Sequence, residues 1–384
     1  MHTFTRGVVG LALLAAAATG LAACSTDGAP PRAATTSTPT PMSDPTSSPT
    51  EVAAERSTTV DFGPAPEQAT APPCSTLLPS DLVDVIVPGA TGTDLLTDAA
   101  HVNGTWSSIR VDGGTECWAT NGVSPLDVVT PTEQGDPVFE GISVSVLPRA
   151  AAALDAATTA ASQLQDAPLE PTCDASDAAR VYCRGDVLAQ NAWVSVAVTR
   201  LQDDADATPE AIEPAYRTLL ERVRAAVAAS PAGTQTGPDS PDASFTPCSP
   251  DRVNAVTTVT LRDPYHRTDT VPWLAQAATT RAGGEHCVFG SGSGWESVDA
   301  AWSTTPRAGW FVEQRLGAGL VDRADRVDLP GLGDGDGAWR TCDDTACSID
   351  VVHDGTWTQY FLQRRVAPNT SEAVLRWAES SFRV

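Results

Sequence analysis

The chain reads Pro73-Cys74-Ser75 where its first folded part begins, and Pro247-Cys248-Ser249 well past its middle. The segments after the two triplets run in the same order, and that repetition decides the fold. A short helical stretch comes first, Pro79 to Val87 and then Pro250 to Val259. A second cysteine follows beside bulky residues, in Glu116-Cys117-Trp118 and in His286-Cys287-Val288-Phe289. An alternating strand comes next. Ile142, Val144 and Val146 share one face, as do Val298, Ala300 and Trp302 in the later run. Each strand stops before a Pro-Arg-Ala, at Pro148-Arg149-Ala150 and Pro306-Arg307-Ala308.

The first Pro-Arg-Ala leads into a helix with Leu154, Ala157, Ala161 and Leu164 at helical spacing; its counterpart around Trp310 to Leu316 is shorter. Alternating strands return at Ala192 to Thr199 and at Thr356 to Val366. Each unit closes on a helix. Thr208-Pro209-Glu210 supplies an N-cap with proline at the first helical position, and Ile212, Tyr216, Leu219, Val223 and Val227 form the stripe. The later helix is capped by Asn369 or Thr370, with Val374, Trp377 and Phe382 inward. The expected organisation is an internal duplication: a first domain at 73–230, a Pro/Gly/Ser/Thr/Asp linker at 231–245 and a second domain at 246–384.

Upstream, Arg6 precedes an apolar run from Val8 to Leu21, too short for a bilayer span and suited to a signal peptide. The run ends in Leu21-Ala22-Ala23-Cys24, which reads as a lipobox. Residues 1–23 are then a lipoprotein signal peptide, and Cys24 becomes a lipidated N-terminus carrying two or more acyl chains, enough for stable anchoring. Residues 24–72, rich in Pro, Thr, Ser and Ala, hold too few apolar side chains to offset the entropy of ordering and read as a disordered tether.

Nine cysteines occur, and Cys24 is assigned to lipid. Cys74, Cys117, Cys173, Cys183, Cys248, Cys287, Cys342 and Cys347 remain, an even set that reads as a disulfide framework in an exported chain. The order of the units favours Cys74–Cys117 and Cys248–Cys287 as equivalent bonds. Each closes a loop worth about 4 kcal/mol in the chain-entropy model. The other two bonds are local, Cys173–Cys183 and Cys342–Cys347, the latter flanking a hairpin turn at Asp343-Asp344-Thr345-Ala346. Distance from Pro-Arg-Ala sets Cys183 against Cys342, and on that alignment the two local bonds do not match. Pairing across the units is the rival scheme.

The chain has 384 residues, 48 carboxylates and 24 basic residues, all of them arginine. This acidic balance disfavours nucleic acid and an anionic bilayer surface as partners, since both need clustered positive charge. Arginine without lysine, with abundant Ala, Thr and Asp, suits a GC-rich genome and hence an actinobacterium.

The Pro-Cys start, the Cys-aromatic, the paired strands and Gly331-Leu332-Gly333-Asp334 before Ala338-Trp339 together resemble a family of uncharacterised actinobacterial lipoproteins. They are similar, too, to the extracellular sensor domain of mycobacterial PknH-type kinases. The resemblance covers residues 73–384 as two copies. It implies an α+β class in which each domain is a curved antiparallel sheet with packed helices pinned by disulfides. The first copy departs from it, because Asp174 to Tyr182 contains no Gly-Leu-Gly-Asp. The family brings no established catalytic residues.

No catalytic motif stands out, and no cofactor is expected. His101, His266, His286 and His353 fall in no Gly-x-Ser-x-Gly, His-Glu-x-x-His or P-loop pattern. Gly290-Ser291-Gly292-Ser293-Gly294 lacks the lysine of a phosphate loop and reads as a flexible loop. Asp334-Gly335-Asp336-Gly337 lacks the later ligands of a calcium loop and reads as a turn. Glu285-His286-Cys287 holds a single free histidine once Cys287 is oxidised, so no metal is expected there. Ten tryptophans stand against four tyrosines. Trp118, Trp193, Trp339 and Trp357 are expected in cores beside disulfides. The alternative is that some tryptophans line a concave sheet face, where an aromatic platform could hold a glycan or lipid; Trp273, Trp295 and Trp310, in less regular segments, are expected nearer the surface. The expected function is non-catalytic: a lipid-anchored protein on the outer face of the cell membrane, binding or sensing an envelope ligand or a membrane-protein partner. An envelope hydrolase acting on cell-wall material and a scaffold for another membrane protein are the alternatives.

Overall fold

The computed structural model describes residues 59–66, 72–93, 104–123, 138–164, 169–177, 180–202, 207–230, 248–262, 273–291 and 298–382. Cys24 with the signal peptide, and His101, His266 and Trp295, lie outside these residues, as does the side chain of Phe382. Among the described residues no helix is long and apolar enough to cross a membrane.

The protein is α+β and carries two antiparallel sheets. The first contains β1 (Thr91–Thr93), β2 (Thr115–Thr120), β3 (Gly141–Leu147), β4 (Thr172–Asp177), β5 (Arg180–Ala189) and β6 (Ala192–Leu201), in the order β1-β2-β3-β6-β5-β4. The second contains β7 (Glu285–Phe289), β8 (Ala300–Thr305), β9 (Gly337–Cys342), β10 (Ala346–His353) and β11 (Thr356–Gln363), in the order β7-β8-β11-β10-β9. Set β2 against β7 and the remaining strands fall in the same order. Among the described residues the position of β1 is taken in the second sheet by a bridge, Arg262 to Gly290.

Period-two patterning explains both faces of each sheet. In the first, Val144, Val146, Val194, Val196 and Val198 face one core, burying about 1.5–3 kcal/mol apiece, while Leu147 and Trp193 face another. Onto the valine face pack helices α1 (Cys74–Leu77), α2 (Ser80–Ile86) and α5 (Pro209–Ala229). Thr208 caps α5 as its sequence requires, its Oγ1 accepting from the Ala211 N–H at 3.2 Å. The opposite face meets α4 (Ala151–Leu164), whose Ala153, Leu154, Ala157 and Ala161 are buried. The second sheet repeats the plan with α6 (Asp251–Asn254) and α9 (Thr370–Phe382) on one face and α8 (Gly309–Gly317) on the other. The helix expected over Pro250 to Val259 is only the four residues of α6; the chain turns at Ala255 before the β-branched run Thr257-Thr258-Val259-Thr260.

Matching backbone features accompany the matching strands. Arg149 and Arg307, at the centres of the two Pro-Arg-Ala turns, both take the left-handed conformation, φ 47° and 61°. The doublets Gly113-Gly114 and Gly283-Gly284 both precede a disulfide-bearing strand. A Cβ on Gly114 would lie 2.4 Å from the Val146 carbonyl oxygen, and one on Gly284 would lie 2.5 Å from that of Thr304. Only glycine permits either approach.

All four expected disulfides are present: Cys74–Cys117, Cys173–Cys183, Cys248–Cys287 and Cys342–Cys347. The local bonds correspond after all. Cys173 faces Cys183 directly across β4 and β5, and Cys342 faces Cys347 across β9 and β10. Cys183 therefore matches Cys347 rather than Cys342, and the distance from Pro-Arg-Ala misaligns them because the connections before β4 and β9 differ.

The sheets meet through α3 (Gly104–Val111) and α7 (Leu274–Arg281), which lie against each other. Val111 of α3 joins the apolar cluster of the second sheet, and Leu274, Ala277 and Ala278 of α7 join that of the first. Arg281 ties the exchange. Its Nε lies 2.9 Å from Asp112, both nearly fully buried, and its Nη1 donates to the carbonyls of Pro148 and Arg149 at 3.0 and 3.1 Å.

Residues 59–66, placed by composition in the tether, lie against the second sheet. Val60 and Phe62, its two large apolar side chains, join its cluster; Phe62 stacks on Trp339 with ring centroids 5.8 Å apart, and the Asp61 N–H donates to the Gly335 carbonyl at 2.8 Å.

Candidate functional site

Two polar arrangements and one cavity stand out. On the face of the second sheet under α8, β10 alternates so that Ile349 and Val351 enter one core while Ser348, Asp350 and Val352 point to the other. Asp350 and Arg315 of α8 are both 0% exposed and pair at 2.8 Å, with Arg315 Nη1 donating to both carboxylate oxygens. Trp357 Nε1 and Gln359 Nε2 also donate to Asp350 Oδ1, at 2.9 and 3.2 Å. The first sheet holds the same indole contact: Trp193 Nε1 donates to Asp186 Oδ1 at 2.7 Å. Cys183, Asp186 and Trp193 recur with identical spacing as Cys347, Asp350 and Trp357. That spacing is a sequence signal, hidden as long as Cys183 is set against Cys342. Arg315 has no such counterpart; the carboxylate of Asp186 lies instead 3.4 Å from Arg184 on its own strand. Asp350 is enclosed, and Arg315, Trp357 and Gln359 all donate to it, which is the arrangement of a framework.

The second arrangement lies in the Asp334-Gly335-Asp336-Gly337 segment, which forms a turn as expected. Asp336 organises it. Its Oδ2 accepts from the Gly333 N–H and faces His353 Nδ1, both at 2.8 Å, and its Oδ1 accepts from the Asp354 N–H at 3.2 Å. Burial raises its pKa, but those three partners outweigh burial and hold the carboxyl below its ordinary value. Asp336, His353 and Asp354 bring their ligand atoms within 4.8 Å of one another. Both oxygens of Asp336 are already spent on the chain itself, so the trio reads as a turn clasp.

The cavity, about 390 Å³, opens between α6, α7, α9 and the strands β7 and β8. The Cys248–Cys287 disulfide forms part of its wall, with Gln276 and Thr280 from α7 and His286 from β7. Three aromatic rings line it: Phe289, Trp302 and Trp377. Phe289 and Trp377 meet edge to face at 6.2 Å, and Tyr360 supports Trp377 from behind at 5.3 Å. Burial raises the Tyr360 phenol, while nearby Ser381 and the charge of Arg252 act in the opposite direction. Asp251, Arg252 and Glu285 are exposed and belong to the rim.

His286 is the unusual member. Its Nδ1 is buried without a hydrogen-bond partner among the described residues, and burial pushes the imidazole from 6.5 down to about 4. It is neutral at physiological pH. On acidification from about 6.5 to about 4 the unfolded chain takes up a proton here that the folded chain refuses, so this group's contribution to stability falls through that window and levels off below it. His286→Gln is expected to flatten that part of the stability–pH curve, measured by urea unfolding between about pH 7 and pH 4. An unchanged curve would mean that the ring titrates normally.

A difference between the sheets explains why the cavity is there. Cys74 precedes Asp81 by seven positions, whereas Cys248 precedes Asp251 by three. The later interval is shorter by four residues, the length of α1. In the first sheet α1 and its end bring Leu77 and Leu78 into the core beside Cys117 and Val144. In the second no such turn fills the space. Trp302 stands where the first sheet has Val144, since each faces the disulfide-bearing cysteine across the ladder, Cys117↔Val144 and Cys287↔Trp302.

No protein-family model, curated protein or solved structure matches this chain.

The tryptophans expected in cores are largely there: Trp193, Trp339 and Trp357 are buried and Trp118 is half-buried. Of those expected near the surface, Trp273 is exposed, but Trp310 is buried against Phe311, because α8 turns it onto the sheet. The rings that line the cavity, Trp302 and Trp377, read in the sequence only as a strand residue and an inward helix residue. Cys287 is in a disulfide, leaving His286 as a single imidazole in the cavity wall. The close His–carboxylate pair of the described residues, His353 with Asp336, is not part of the cavity lining.

Proposed function

We propose that this chain is an extracytoplasmic lipoprotein, anchored through Cys24, that binds a small envelope ligand without catalysis. Two tandem copies of one α+β unit make up its folded part: the second copy carries the binding site and the first is its filled structural partner. The observation that carries the reading is the cavity in the second sheet, with tryptophans on its wall, where the first sheet has α1 with Leu77 and Leu78 in its core. Its volume lies in the lower part of the range for small-molecule sites, about 300–1,000 Å³. A neutral imidazole, its buried Nδ1 without a partner among the described residues, suits binding better than acid–base chemistry. The resemblance of the Pro-Cys and Cys-aromatic framework to the extracellular sensor domain of PknH-type kinases is the ground for a sensing role. Matching strand order, turn conformations and Cys-Asp-Trp spacing support the duplication.

Native mass spectrometry of the mature chain, purified from its own envelope, tests this. The expected result is an added mass that leaves on denaturation and is absent from Thr280→Trp, which fills the cavity from α7. A bare wild-type chain, or an added mass that Thr280→Trp retains, would overturn the reading.

A further inference from the structure

We infer that the cavity takes a neutral sugar ring, of monosaccharide to disaccharide size, with one face on Trp302 and its hydroxyl edge on Gln276, Thr280 and His286; this rests on the cavity being a binding site. The wall is of two kinds. Phe289, Trp302 and Trp377 offer aromatic surface, whose faces carry the negative end of the ring quadrupole and attract polarised C–H groups. Between them stand groups that are polar and uncharged: the Gln276 amide, which both donates and accepts, the hydroxyls of Thr280 and Ser381, and the imidazole of His286. Gln276 is buried, and His286 Nδ1 is buried without a partner among the described residues.

That pairing sorts the ligand classes. An alkyl chain would cover the aromatic rings but leave Gln276 and His286 desolvated with nothing to bond, a cost that falls on every buried polar group left unmatched. An anion would find one cation, Arg252, already offset at the rim by Asp251 and Glu285. A bare cation would find the rings and the rim carboxylates, yet it has no use for the acceptor-and-donor set deeper in. A pyranose presents what the wall lacks: an apolar C–H face and, at its edge, hydroxyls that donate and accept within one ring.

The test titrates the full-length chain with cellobiose, maltose and N,N′-diacetylchitobiose, with tetramethylammonium and decanoate as contrasting probes, followed by tryptophan emission and saturation-transfer NMR. At least one sugar is expected to saturate, with the strongest transfer on its ring C–H protons. Gln276→Leu, close in shape and without the amide, is expected to weaken it by about tenfold or more with an unchanged thermal midpoint. Trp302→Phe, which keeps the core filled, is expected to remove the emission change. If no sugar binds while the chain from its envelope still releases a mass on denaturation, the sugar assignment falls and the binding site stands. Binding of decanoate or tetramethylammonium in preference to every sugar overturns the assignment in the same way. Sugar binding unaffected by both Gln276→Leu and Thr280→Trp would place the sugar elsewhere and overturn it too.

Discussion

Asp350→Ala is expected to destabilise the folded chain by about 3–5 kcal/mol, the cost of leaving one member of a buried ion pair uncompensated. The carboxylate it removes receives Arg315, Trp357 and Gln359, and neither Asp350 nor Arg315 reaches solvent. The loss should therefore exceed that of Asp186→Ala in the first sheet, whose partner Arg184 is 41% exposed and can return to water. Urea unfolding of both variants makes the comparison. A further variant sharpens it. Replacing the pair together, Arg315→Met with Asp350→Leu, is expected to recover much of the loss, because no charge is then left in the core. Equal losses from Asp350→Ala and Asp186→Ala would mean that the arginine contributes nothing beyond the indole contact.

Removing the Cys248–Cys287 bond through Cys248→Ser with Cys287→Ala is expected to cost about 4 kcal/mol of chain entropy, against about 2 kcal/mol for the Cys342–Cys347 bond. The difference follows from the sequence separations the two bonds close, 39 residues and 5. Thermal unfolding under non-reducing conditions reads it. Because the larger bond also walls the cavity, its loss should weaken ligand retention as well, whereas loss of Cys342–Cys347 should leave retention unchanged. Equal destabilisation by the two deletions would show that native packing, rather than loop closure, sets the contribution of each.

Much of this arrangement is legible in the sequence because period-two and period-3.6 patterns report burial directly. Ile142, Val144 and Val146 share a face as the alternation requires, and the stripe from Ile212 to Val227 packs down as a helix capped by Thr208. The disulfides can be paired because two Pro-Cys-Ser triplets frame them. The hidden features depend on the third dimension. The four-residue difference between the long disulfide loops is visible in the sequence, yet its consequence depends on knowing that Leu77 fills the corresponding space. Pairing of Asp350 with Arg315 joins a strand to a helix 35 residues away, and no local pattern links them. Residues 59–66 read as tether because Val60 and Phe62 are too few to make a periodic signal, although two apolar side chains suffice to dock on a ready surface.

That docked segment changes how the molecule is strung. Its residues precede the first sheet in the chain but rest on the second, and α9 returns the other end of the chain to the second sheet as well. The first sheet is thus threaded between two attachments to the second, like a bead whose string is knotted on the far side. A pull applied just upstream of residue 59 is borne first by the Phe62–Trp339 contact and the second sheet, and reaches the first sheet only after that clasp lets go.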